Sequence, residues 1–147
     1  MTKGTSVQQG LLDTSTLMFL GRIGDATVLP DEALISTITL AELSVGPLVA
    51  NTDREGDARQ AHVQQAEADF DPLPFDAHAA RTFGRVAASL RRSGRRTTVR
   101  AYDAMIAAIA IANDLPLYTC NPDDFAGIEE LELVPVPHPD TINDATL

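Results

Sequence analysis

Four carboxylates, widely separated in the chain, stand where apolar, β-prone runs hand over to helix-prone ones. They are Asp13 in Gly10-Leu11-Leu12-Asp13-Thr14-Ser15, Glu42 in Thr39-Leu40-Ala41-Glu42-Leu43, Asp103 in Ala101-Tyr102-Asp103-Ala104-Met105-Ile106, and Asp124 in Asn121-Pro122-Asp123-Asp124-Phe125. In an open α/β sheet, ligands bind beyond the carboxyl ends of the strands, so acids at strand exits converge there from distant parts of the sequence. Two carboxylates about 4 Å apart repel by roughly 4 kcal/mol at an effective dielectric of 20. Such a cluster needs protons or a cation. Oxygen ligands with no accompanying thiolate suit Mg²⁺ or Mn²⁺. The chemistry this points to is metal-dependent hydrolysis of a phosphodiester.

Each acid also has a purely structural role open to it. Asp13 can cap the helix that follows it. Thr39-x-x-Glu42 has the spacing of a capping box. Asp103, near the start of an apolar helix, favourably meets the helix dipole. Asn121-Pro122-Asp123-Asp124 reads as a helix start, with Asn as cap and Pro in the first position. All four acids at predicted strand exits is what favours a shared site over four separate caps.

The elements that must position these residues alternate. Val7 to Leu12 reads as a first strand, then a helix carries Leu17, Met18, Leu20 and Ile23 to about Gly24, capped by Thr14 or Ser15. Leu34 to Ile38 reads as a second strand, followed by a helix from about Leu40 to Val49. Residues 53–69 are helical, and Phe70 to Phe75 is a proline-limited edge-strand candidate. Asp76 opens a helix with Ala80, Phe83, Val86, Ala87 and Leu90 at helical spacing, broken at Ser93-Gly94. Residues 101–113 form an almost wholly apolar, buried helix. Pro116 to Cys120 is a strand, Pro122 to Ala126 a helical turn, and Leu131 to Val136 a last strand. Strands alternating with helices imply a parallel-type sheet covered on both faces.

Composition narrows the function classes. At 147 residues, 44% apolar and 22% charged, the chain fits one ordinary globular domain. No apolar run reaches the 18 or so residues of a membrane span, and the opening Met1-Thr2-Lys3-Gly4-Thr5-Ser6 is not a signal peptide core. The single Cys120 excludes an internal disulfide and fits a reducing cytoplasm. His62, His78 and His138 lack zinc-ligand spacing, and there is no glycine-rich phosphate loop. Pro47, Tyr102 and Tyr118 read as architectural. The formal net charge of −10 is uneven, because Arg81, Arg85, Arg91, Arg92, Arg95, Arg96 and Arg100 make the acid-free window 81–100 a +7 segment. That window is either a solvated helix face or a phosphate-contacting edge beside the acids.

Taken in order, Leu11-Leu12-Asp13-Thr14-Ser15, Thr39-Leu40-Ala41-Glu42-Leu43, Tyr102-Asp103-Ala104-Met105-Ile106-Ala107-Ala108 and Tyr118-Thr119-Cys120-Asn121-Pro122-Asp123-Asp124-Phe125 resemble the successive motifs of PIN-domain proteins. Their order and spacing are similar to those of the VapC toxins of bacterial toxin–antitoxin pairs, over roughly residues 10–136. The resemblance implies an α/β fold, a PIN-like three-layer α/β/α sandwich with a central mostly parallel sheet. It divides the chain into a flexible lead-in at 1–9, a single PIN-like domain at 10–137 and a polar tail at 138–147. The twelve residues before Asp13 exceed the usual few, which implies a start downstream of Met1.

The resemblance further implies an endoribonuclease that cuts single-stranded or loop RNA with Mg²⁺ or Mn²⁺. By position, Asp13, Glu42, Asp103 and Asp124 are its catalytic acids, with metal binding chiefly at Asp13 and Asp103. Ser15 supports the first acid. Many relatives carry an acid where this chain has Asn121, so Asn121 and Asp124 are both candidates for the fourth position. Arg95, Arg96 and Arg100 are candidate RNA contacts. The implied partners are RNA, a VapB-like antitoxin whose tail enters the groove, and a second copy of the chain in a homodimer, all in the cytoplasm. The competing class is a PIN-fold interaction module whose catalysis has been weakened at the fourth motif.

Overall fold

The structure, a computed structural model, describes residues 6–140. Four short strands, β1 (Gln9–Leu12), β2 (Glu32–Leu34), β3 (Leu117–Thr119) and β4 (Leu133–Pro135), form one sheet in the order β2-β1-β3-β4. Every pairing is parallel, with Leu11 opposite both Leu34 and Leu117, and Tyr118 opposite Leu12 and Val134. Five helices connect and cover the strands: α1 (Thr14–Met18), α2 (Thr37–Val45), α3 (Asp53–Asp69), α4 (Ala77–Arg92) and α5 (Ala101–Ala112).

Strand side chains alternate between faces, and here the alternation sorts the core into two layers. Leu11 and Leu117 enter a cluster with Val86 and Leu90 of α4, Ile106 and Ile109 of α5, and Phe125. Leu12 and Tyr118 enter the opposite cluster, with Leu17 of α1, Leu43 of α2 and Val63 of α3. A sheet buried on both faces between two helical layers is the three-layer sandwich the resemblance implies, with a sheet that is wholly parallel.

Local chemistry sets the long elements. Asp76 caps α4 by accepting from the Ala79 N–H at 2.9 Å. At the other end Gly94 takes φ +84°, and Arg95 and Gly94 donate to the Leu90 and Arg91 carbonyls at 2.9 and 3.0 Å, which closes the helix as a Schellman motif. Gly10 is needed for a different reason. A Cβ there would lie 2.4 Å from the Tyr118 ring, which crosses directly over the backbone of β1.

Several elements differ from the sequence reading. The first helix is capped by Asp13 itself, not by Thr14 or Ser15, and gives way to a 3-10 turn at Leu20–Arg22. The second strand ends at Leu34. Ile35-Ser36-Thr37-Ile38, strand-like in composition, instead starts α2, because the Ser36 hydroxyl caps the Thr39 N–H at 3.1 Å. Phe70 to Phe75 forms no strand, only a single bridge between Leu73 and Ser36. The lead-in and tail lie partly outside the described residues. Within them, Asp140 pairs with Arg22 at 2.6 Å and the His138 ring meets Phe19 edge-on at 4.8 Å.

Candidate active site

Asp13 leaves β1 at the carboxyl edge of the sheet and is 4% exposed. One carboxylate oxygen accepts from the Thr16 N–H at 3.1 Å. The other accepts from the Thr119 hydroxyl at 2.8 Å and the Ser15 hydroxyl at 3.3 Å. Thr119 is the last residue of β3, so the pairing of the two central strands is what places its hydroxyl beside Asp13. Asn121 continues the network, its amide donating to the Ser15 Oγ at 2.9 Å and its backbone N–H to the Thr119 Oγ1 at 2.9 Å. Asn121 precedes the 3-10 turn Pro122–Phe125, but its side chain makes no cap bond to that turn. The cap assigned to it from sequence is therefore replaced by a contact with Ser15.

Glu42 lies in the second turn of α2, not at a strand exit, and the capping box read from Thr39 is not formed. Instead the Thr14 hydroxyl donates to Glu42 Oε1 at 2.6 Å, while Thr39 and Thr14 share a hydrogen bond of 3.0 Å. Thr14 has one proton and gives it to Glu42, so Thr39 is the donor in that second bond. Asp103 likewise follows no strand. It occupies the first turn of α5 after a 3-10 turn at Thr97–Arg100.

The convergence of the acids is recorded in the protonation of Asp103. Burial, followed by the charges of Asp124, Glu42 and Asp13, raises its pKa from the ordinary 3.8 to about 6, with Arg100 working in the opposite direction. Three acids from three other elements therefore act on the Asp103 carboxyl. Arg100 is the counter-ion of this basin, donating to Asp124 Oδ1 at 2.6 Å and standing 3.9 Å from Asp103 Oδ2.

The other arginines of the basic window are dispersed. Arg95 donates to the Asp123 carbonyl at 3.1 Å and Arg96 is exposed. Arg85 and Arg92 pair with Glu130 and Glu129 away from the acids. The structure thus splits the +7 segment into a solvated face on α4 and a short stretch, 95–100, beside the acids.

The donor chemistry, carboxylates with no soft ligand among them, suits a hard divalent cation, and burial together with the charges of the other three acids drives Asp103 toward protonation. Among the described residues, no three His, Cys, Asp or Glu side chains are close enough together to hold an ion as they stand. Cys120 is buried, and burial raises its thiol pKa, so it adds no soft ligand. Sequence reasoning missed Thr14, Thr39 and Thr119. The one available signal was a run of hydroxyl residues beside the acids, because their partners lie up to 106 residues away.

The sequence pattern of the family described as PIN domain matches residues 11–131. The chain belongs to the PIN-domain family. Among PIN proteins it is 40% identical over 127 residues to Ribonuclease VapC5 of Mycobacterium tuberculosis, covering 85% of this chain and 91% of that protein. It is 31% identical to Ribonuclease VapC of Rickettsia bellii, covering 86% of this chain and 96% of that one. The crystal structure of VapBC-5, a member of the VapBC family of toxin-antitoxin systems from Mycobacterium tuberculosis, superposes with a TM-score of 0.74 at 38% identity, covering 87% of this chain and 98% of the other. Among the described residues of this PIN protein, no helix is long and apolar enough to cross a membrane.

Proposed function

We propose that this PIN protein is a divalent-metal-dependent endoribonuclease and the toxin of a VapBC-type toxin–antitoxin pair. The observation that carries the reading is the four-acid basin, in which Asp124, Glu42 and Asp13 all act on Asp103. The ribonuclease names of its relatives supply the substrate class. Asp13 and Asp103 would hold Mg²⁺ or Mn²⁺, with Glu42 and Asp124 completing the set. An ion there would supply Lewis acidity toward water and charge neutralisation toward a phosphate.

The remaining work falls to the chain's own residues. Thr119, Ser15 and the Thr16 N–H fix one carboxylate oxygen arrangement at Asp13, and Asn121 fixes Ser15. Thr14 fixes Glu42. Arg100 holds Asp124 and, with Arg95 and Arg96, offers positive charge to an incoming RNA backbone, so that a −10 protein can receive a polyanion. Asn121 acts as a positioning residue for Ser15, which leaves Asp124 as the fourth acid.

The VapB-like antitoxin is supported by the toxin-antitoxin structure among its relatives and by a mainly apolar groove of about 290 Å³ whose lining includes Met18, Leu43, Gly46, His62 and Glu42. A homodimer and a cytoplasmic location complete the proposal. The test is cleavage mapping of total RNA after induced expression, comparing the parent with Asp103→Asn. New 5′ ends that appear with the parent and not with the variant support an RNA-cutting toxin. Identical RNA patterns would leave a PIN-fold interaction module.

A further inference from the structure

One aromatic side chain is not packed. Phe19 pairs with His138, Phe75 with Phe83, Phe125 is buried, Phe70 packs against the second core layer, and Tyr118 is 8% exposed over Gly10. Tyr102 is 59% exposed, the only aromatic among the large exposed apolar side chains of the described residues. Its sequence context reads as architectural, yet it takes little part in the core that the rest of α5 builds from Ala104 and Ile106 to Ala110. With Val99, 72% exposed, it lines a groove of about 460 Å³ whose other walls include Glu42, Arg100 and Asp103. An exposed ring, a guanidinium and two of the acids thus border one open groove.

We infer that Tyr102 is a base-stacking platform for an unpaired nucleotide of RNA next to the phosphate being cut, a subsite that selects unstacked over paired RNA. The inference rests on the ribonuclease reading above. Aromatic rings bind single strands by stacking on the flat face that every base presents, and a base inside a duplex cannot offer that face. The backbone of a nucleotide stacked there lies along the groove, within reach of Arg100 and toward the acids. Tyr102 touches the base and not the reacting atoms, so it governs where RNA sits and not how fast a seated phosphate reacts.

The test uses the full chain with Mg²⁺ or Mn²⁺ and a short single-stranded RNA spanning the mapped cleavage site. Tyr102→Leu keeps apolar bulk but loses the π face, and Tyr102→Phe keeps it. Stacking is worth about 5- to 150-fold in affinity per base, so the Leu variant should raise KM within that range at unchanged kcat, with the Phe variant close to the parent. A fluorescent purine analogue beside the scissile phosphate should be quenched by the parent and the Phe variant only. An abasic nucleotide there should erase the difference between parent and Leu variant. Equal KM for parent and Leu variant overturns the subsite, as does equal loss in Leu and Phe variants, which would mark a hydroxyl contact. Unchanged RNA binding with altered dimer mass or antitoxin affinity would assign Tyr102 to a protein interface instead. Failure of the parent itself to bind or cut RNA would remove the ribonuclease reading and this inference together.

Discussion

The acidic basin has two sides built on opposite principles. On one, Asp13 is buried and held by three protein donors, and it also caps α1. On the other, Asp103 and Asp124 share a single guanidinium, and among the described residues Asp103 has only that group, at 3.9 Å, to offset its neighbours. The first carboxylate is part of the fold whether or not an ion is present. On the second side, the ionised Asp103 is in a state that the fold alone leaves costly. Two carboxylates of the one proposed metal site can therefore contribute to stability with opposite signs.

The largest expected effect separates the two sides directly. Asp13→Ala and Asp103→Asn should each cut RNA cleavage by about 10²- to 10³-fold, as loss of a preorganised electrostatic group does. Stability should diverge. Asp13→Ala removes a cap and strands the buried Thr119 hydroxyl, a loss of about 1–3 kcal/mol. Asp103→Asn should stabilise the ion-free protein. Denaturant titration of both variants without divalent ions decides it, and two changes of the same sign would break the comparison.

The pH dependence sharpens it. A carboxyl raised from 3.8 in the unfolded chain to about 6 in the folded one binds its proton more tightly when folded. It costs nothing at pH below about 4, costs progressively more as pH rises toward 6, and costs its full amount above, on the order of 3 kcal/mol. The stability gap between parent and Asp103→Asn should accordingly open between pH 4 and 6 and close on acidification. Divalent ions should stabilise the parent more than the variant. A gap that is flat with pH would remove Asp103 from the tense side.

Arg100 should show a smaller, double effect. Arg100→Gln frees Asp124, so Mg²⁺ or Mn²⁺ should bind a few-fold more tightly, in line with the roughly 0.2–1 kcal/mol of a partly exposed ion pair. Replacing Arg95, Arg96 and Arg100 together should flatten the salt dependence of RNA binding, by about 0.7 in log–log slope for each RNA phosphate that is no longer neutralised. Calorimetry and binding across salt concentrations read the two effects separately. An unchanged slope would return 95–100 to a solvated surface.

The smallest effect concerns Asn121→Asp. It removes the donor to Ser15, leaves Ser15 two carboxylates to choose between, and adds a charge near Asp13. Divalent affinity should rise and ion-free stability fall, each modestly. Titration calorimetry giving equal dissociation constants would place Asn121 outside the ion's field.

The long helices are legible in the sequence because local rules suffice for them. Asp76 and Ser93-Gly94 mark the ends of α4 with groups that act within four residues. The second strand is read too late because Ile35 to Ile38 favours β structure on its own, and the Ser36 cap decides otherwise. Strand-exit placement holds for Asp13 and for Asp124 after β3, but Glu42 and Asp103 reach the same basin from inside helices. The Thr119–Asp13 bond is invisible in the sequence, since it exists only through the pairing of β1 with β3. Tyr102 is misread because aromatic residues are usually packed, and nothing local distinguishes the ring that is not.

That same β1–β3 pairing sets a schedule. Asp13 is made early, yet its Thr119 partner comes 106 residues later and the Asp124 turn later still. A chain growing on a ribosome at about 5–20 residues per second would spend several seconds with its first acid uncompleted. Closing so long a loop is also slow relative to forming the helices between. On the proposed reading, cleavage cannot begin until the chain has been made past Asp124.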